Sequence, residues 1–129
     1  MLPHNIESMT ESEVIDPQAI ERLKEWGGEK LAGQMVRLFL KNSGTRMDQI
    51  RTGIAEADVE EAERGAHSLK SSAANIGGEH LRTLATKIEA AALANDVEGM
   101  RQLGPELEAA YSAVMDALAT LEKEMPDES

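Results

Sequence analysis

The sequence predicts an all-α fold: an antiparallel up-and-down four-helix bundle with a short extra N-terminal helix packed across one end. Three observations carry this expectation. Apolar residues recur at intervals of three and four through most of the chain, and no segment alternates with period two over a useful length. The breaks between the periodic stretches are short, which makes successive helices antiparallel neighbours. The 129 residues are enough for one modest core and too few for two. The chain divides into a flexible acidic lead (residues 1–15), the bundle (16–125) and a short tail (126–129).

Each element has its own signals. Asp16-Pro17 is a cap followed by proline at the first helical position. Ile20, Leu23 and Trp26 then follow at intervals of three, and Gly27-Gly28 stops this first helix. A second helix starts near Glu29, with a stripe of Leu31, Met35, Leu38, Met47, Ile50 and Ile54 and with Phe39 beside it. Asn42-Ser43-Gly44 is its weakest point, where a kink could sit. The third helix follows Asp58. Val59, Ala62, Ala66, Leu69, Ala73 and Ile76 form a narrow seam, and Gly77-Gly78 ends it. The fourth carries Leu81, Leu84, Ile88 and Ala91 and closes near Asn95-Asp96. The last carries Leu103, Leu107, Ala110, Val114, Leu118 and Leu121, and Gly104-Pro105 near its start is expected to give a kink or a short helix followed by a longer one.

Composition narrows the function classes. The aromatic residues are Trp26, Phe39 and Tyr111. A core of Leu, Ile, Val, Met and Ala packs helices closely and leaves little material for a deep organic-ligand pocket. A net charge of −11 repels phosphate backbones and anionic lipid, so neither nucleic acid nor a membrane surface is an expected partner. The absence of cysteine removes disulfides and thiolate ligands and fits a reducing compartment. Glu7, Glu11 and Glu13 replace the basic, apolar pattern of a signal peptide, and no apolar run approaches the roughly 20 residues of a membrane span. A cytoplasmic protein is the expectation.

The most informative stretch is Ala66-His67-Ser68-Leu69-Lys70-Ser71-Ser72-Ala73-Ala74-Asn75-Ile76-Gly77-Gly78. The seam of the third helix passes through Ala66 and Leu69. His67 lies about 100° around the helix from Ala66, off the centre of the buried stripe. Its own-face neighbours are Glu63, Arg64, Lys70 and Ser71, with Ala74 a further turn on. None is large and apolar, so the ring is expected to be at least partly wet. A cation at Lys70 suits a phosphoryl group on the imidazole, and the short Ser71 and Ala74 leave room for a partner surface. The Gly77-Gly78 reversal brings Glu89 to a similar height as His67. A hydrogen bond from one ring nitrogen to Glu89 would fix the tautomer and leave the other nitrogen as nucleophile.

Taken singly, each of these residues has a plainer account. A lone helical histidine is most often an ordinary side chain, Lys70 a solvated charge and Glu89 a surface carboxylate. Glu60, Glu61 and Glu63 read as a charged outer face, His80 as a partly exposed helix-end residue, and His4 has no role. Three scattered histidines without ligand spacing predict no metal site.

The ordered string from Ala66 to Gly77 resembles the signature of histidine-containing phosphotransfer domains: His-x-Leu-Lys-Gly-Ser, a small-residue stretch and a Gly. Leu38-Phe39-Leu40, the Leu81 to Glu89 helix and the helical layout extend the resemblance over roughly residues 16–123. The resemblance implies a phosphorelay intermediate. His67 would take a phosphoryl group at Nε2 from a receiver-domain aspartate and pass it to another receiver. Lys70 would stabilise the phosphoryl group and Glu89 would orient the ring, while Arg64, Ser68, Ser71 and Ala74 would meet the partner. Ser71 departs from the pattern, which most often has Gly there. The implied partners are receiver domains of response regulators and hybrid kinases. Mg²⁺ is expected on the receiver, no cofactor on this chain, and a monomer.

Four alternatives compete with this reading. The phosphoacceptor domain of a histidine kinase normally has an acidic residue after the histidine and a proline soon after; Ser68 follows here and positions 69–76 hold no Pro. No Gly-rich nucleotide segment is present, so autonomous kinase activity is not expected. A phosphotransfer domain excised from a larger kinase shares the bundle, and the short tail weighs against it. A non-transferring module that sequesters receivers would not need both His67 and Lys70. A metal-dependent bundle enzyme would need inward Glu-x-x-His pairs, which are absent.

Overall fold

The computed structural model describes residues 9–125. Its helices are α1 (Glu11–Val14), α2 (Pro17–Glu56), α3 (Val59–Ile76), α4 (Glu79–Leu93) and α5 (Val97–Glu124), with no strand among the described residues. Residues 1–8 of the acidic lead and the 126–129 tail lie outside them. The long helices close a ring: α2 packs on α3, α3 on α4, α4 on α5 and α5 on α2. This is the expected antiparallel bundle. No described helix is long and apolar enough to cross a membrane.

Short polar signals set the boundaries. Asp16 accepts a hydrogen bond from the Gln18 N–H, with Pro17 at the start of α2; Asp58 accepts from Glu61 and Asp96 from Gly99. Each side chain satisfies a helix-start N–H that has no partner within its own helix. The break expected at Gly27-Gly28 is a kink inside α2. Gly28 has φ 72° and ψ −174°, a region essentially confined to glycine. The arm before the kink buries Ala19, Ile20 and Leu23, and its start lies against the α3–α4 turn at Gly77. It is the short helix across the bundle end.

Four expectations need correction. The packed chain begins before residue 16. The Glu13 carboxylate caps the start of α1, accepting from the Thr10 N–H at 3.3 Å and from the Thr10 hydroxyl at 3.1 Å, and Val14 and Ile15 are buried in the core. Two apolar residues are too short a pattern to announce themselves. In the first half of the bundle segment of α2, the buried apolar side chains are those of Ala32, Val36 and Phe39, whereas Leu38 is 52% exposed. Both phases satisfy a helical period; Ala32, Val36 and Phe39 take the centre of the buried stripe, and Leu31 and Met35 pack at its edge. Nor does α2 kink at Asn42-Ser43-Gly44: Ser43 is buried and its hydroxyl pairs with the Tyr111 hydroxyl of α5 at 2.9 Å. Finally, α5 runs unbroken through Gly104-Pro105, with Met100 and Leu107 buried on either side. Burial on both flanks outweighs the hydrogen bond that proline cannot donate.

Elsewhere the predicted seams hold. Helix α3 buries Ala62, Gly65, Ala66, Leu69, Ala73 and Ile76, and α4 buries Leu81, Leu84, Ala85, Ile88 and Ala92. These two seams face each other and fix what stands beside them. An exposed bidentate pair, Arg51 to Glu108 at 2.6 and 2.7 Å, straps α2 to α5. Its exposure limits its contribution to about 1 kcal/mol or less.

Candidate functional site

His67 stands one residue past buried Ala66, with its side chain 61% exposed. Its Nδ1 is 2.7 Å from Glu89 Oε2. Glu89 follows buried Ile88 on α4, and its side chain is only 12% exposed. Its second oxygen, Oε1, accepts from Lys70 Nζ at 2.6 Å. One carboxylate thus bridges the imidazole and the ammonium. The antiparallel register explains the meeting. Gly77, with φ 79°, ends α3 in the left-handed conformation, and α4 starts at once, so positions equally far from the turn face each other.

The electrostatics follow from these contacts. The Lys70 hydrogen bond, and then that of His67, hold the Glu89 carboxyl below the usual carboxylate range, against the opposing effect of burial. A carboxylate only accepts hydrogen bonds, so the proton between it and the ring resides on Nδ1. Nε2 is left with its lone pair free, the arrangement of an imidazole ready to attack an electrophile. A depressed carboxyl pKa also ties stability to pH. The stabilisation is present above the unfolded-state value of about 4.3 and is lost as pH falls through the lower folded-state value. Wild type is therefore expected to lose stability on acidification below about pH 4 more steeply than Glu89→Gln. Urea midpoints at pH 3, 4 and 7 measure this, and parallel curves would remove Glu89 from the acid response.

The remaining candidates are distributed along the same face. Arg64 is exposed and its guanidinium lies 3.6 Å from Glu61. Ser68 is half-buried. Ser71 is exposed, and its hydroxyl donates back to the His67 carbonyl at 3.4 Å, so it bonds to its own helix. Ala74 is exposed and lines a shallow groove with Trp26, Leu31 and Met35. A second hollow beside it is lined by Met35, Leu38, Arg46 and Ser72. Sequence reasoning missed this surface because it assigned Trp26 and Leu38 to the core; they are 73% and 52% exposed. The available signal was a surplus of apolar residues in α2, more than one buried stripe can hold. Among the described residues, Glu63, His67 and Glu89 form a set able to offer donor atoms to a cation.

Comparison with known proteins adds two findings. The family model described as Hpt domain matches residues 34–124. The crystal structure of histidine-containing phosphotransfer protein B (HptB) from Pseudomonas aeruginosa PAO1 superposes with a TM-score of 0.81 at 18% identity, covering 88% of this chain and 97% of that one. At that identity the likeness is one of fold. No curated protein matches the chain.

Proposed function

This chain belongs to the Hpt domain family, and from that premise we propose that it carries a phosphoryl group on His67 Nε2 between receiver domains of a phosphorelay. The observation that carries the residue assignment is the bridge at Glu89, which accepts a hydrogen bond from Nδ1–H, so that Nε2 keeps its lone pair, and holds Lys70 on the same face.

The chemistry balances with these groups. Nε2 attacks the phosphorus of a receiver's aspartyl phosphate. The N–P bond forms as the P–O bond to the aspartate breaks, and the carboxylate leaves. The ring becomes cationic, and the Glu89 carboxylate at Nδ1 neutralises it. The Lys70 ammonium faces the arriving phosphoryl oxygens. Transfer to a second receiver runs the same step in reverse. Such chemistry needs in-line placement and charge neutralisation more than covalent help. No kinase machinery is required of the carrier, and the Mg²⁺ that assists receivers belongs on the partner. Every group named comes from α3 and α4 of a single chain, so one copy suffices.

Partner docking follows from the surface around the ring. Arg64, Ser68, Ser71 and Ala74 surround or continue the His67 face. The groove at Trp26, Leu31 and Met35 begins two turns away, about 10 Å along α3 from His67 to Ala74. It would supply the apolar area that the polar histidine face lacks.

The test is incubation with a receiver charged by a small phosphodonor. Acid-labile, base-stable label is expected on the wild-type chain. Labelled receiver with none on this chain would instead favour a sequestering module. Lys70→Ala is expected to keep the bundle folded and slow transfer. Loss of a hydrogen bond to a charged group costs about 1.5–3 kcal/mol, roughly 10- to 150-fold in rate. Quench-flow transfer kinetics measure it, and an unchanged rate would take the lysine out of the mechanism.

A further inference from the structure

The histidine site holds one more carboxylate than phosphotransfer uses. Glu63 lies one turn before His67 on α3 and is half-buried. Glu89 reaches the ring from α4. One donor atom from each of Glu63, His67 and Glu89 lies within 4.8 Å of the other two. Bonds from Zn²⁺ to nitrogen and carboxylate oxygen are about 2.0–2.2 Å, so donors around a tetrahedral ion sit roughly 3.3–3.5 Å apart. Closing that difference requires the glutamate side chains to rotate, Glu89 away from the contacts it makes with His67 and Lys70. The set is one neutral imidazole and two carboxylates, borderline donors of the kind Zn²⁺ takes, with a fourth position left for water.

We propose that Glu63, His67 and Glu89 bind a divalent transition metal of the Zn²⁺ type, and that the bound metal blocks phosphorylation of His67. Only the second half rests on His67 being the phosphoacceptor. A metal on Nε2 occupies the attacking lone pair. A metal on Nδ1 requires the other tautomer of the neutral ring: the one ring proton leaves Nδ1 and sits on Nε2. Either way the nucleophile is lost. Lys70 is the native competitor, since its ammonium already occupies Glu89 Oε1 at 2.6 Å. The resting site therefore carries a built-in cation, and an incoming metal must displace it or share the carboxylate with it.

Calorimetric titration of the full chain with ZnCl₂ tests binding apart from transfer. One-to-one binding is expected in wild type and none at this site in His67→Ala. Glu63→Gln should weaken it by roughly tenfold or more, at least the loss typical of a supporting group. Lys70→Ala should tighten it, because a like charge leaves the site. In a receiver assay, Glu63→Gln without metal should label at the wild-type rate and resist Zn²⁺ inhibition. The same receiver serves both proteins, so the difference reports this chain. Absence of saturable binding, or affinity unchanged in Glu63→Gln or His67→Ala, overturns the site. Wild-type labelling undiminished at saturating Zn²⁺ overturns the block alone.

Discussion

Replacing His67 by alanine is expected to abolish phosphoryl uptake from a charged receiver and to leave the bundle folded. The two halves of this outcome have separate causes. The side chain is 61% exposed and outside the apolar core, so its removal opens no cavity. Glu89 loses one hydrogen bond and keeps the one from Lys70, so no buried charge is stranded. Thermal stability should change by about 1 kcal/mol, the loss of one largely exposed hydrogen bond. The chemical loss should be complete, because no neighbour replaces the nucleophile: Ser71 donates to a backbone carbonyl, and Glu89 is nearly buried. This contrasts with Lys70→Ala, whose effect is graded. The pair separates an acceptor from a group that only neutralises charge. Circular dichroism, thermal unfolding and acid-labile label on the two variants measure it. Label retained on His67→Ala would move the acceptor to another residue and sink the mechanism.

Much of this site was legible because two local rules sufficed. The phase of the α3 seam put His67 beside Ala66 and off the buried stripe. The glycine turn gave the antiparallel register that sets Glu89 opposite. Neither rule reports on side-chain torsions, however. That Lys70 turns to α4 and shares the carboxylate with His67 depends on three side chains meeting at once. The competition between a bound cation and an arriving phosphoryl group was invisible for the same reason. Glu63 read as outer surface because Glu60 and Glu61 beside it read that way.

The fold was less legible where two answers satisfied one pattern. In α2, Leu31, Met35 and Leu38 keep helical spacing, and so do Ala32, Val36 and Phe39. Spacing alone does not choose between them: the second set is buried, Leu31 and Met35 pack at its edge, and Leu38 is exposed. That choice left Trp26 and Leu38 on the surface beside the histidine face. At Pro105 a local rule failed outright, because burial of Met100 and Leu107 overrides one missing hydrogen bond.

Gly77→Ala is expected to be among the most damaging single substitutions in the chain, and Gly77→Asn nearly as damaging. Gly77 adopts φ 79°, and its carbonyl accepts from the Asp16 N–H at 2.8 Å. A β-carbon here would stand 2.8 Å from the Asp16 carbonyl oxygen and 2.8 Å from Ala19 Cβ. Both neighbours are anchored, Asp16 by its cap on α2 and Ala19 by burial, so neither yields cheaply. The left-handed conformation costs alanine about 1–2 kcal/mol, and overpacking adds about 1–3 kcal/mol. The total of about 2–5 kcal/mol corresponds to a fall in melting temperature on the order of 10 °C or more for a domain of this size. Asparagine separates the two causes, since it tolerates positive φ but carries the same β-carbon. Recovery of stability in Gly77→Asn would show that conformation alone matters and that the close approach of α2 to the turn does not. The same turn sets the height of Glu89 against His67. A shift of about 1 Å would carry the 2.7 Å contact beyond hydrogen-bond range. Both variants should therefore transfer phosphoryl groups more slowly even at temperatures where they remain folded. Wild-type transfer rates there would mean that the register of α3 and α4 is held by their facing seams and owes nothing to the turn.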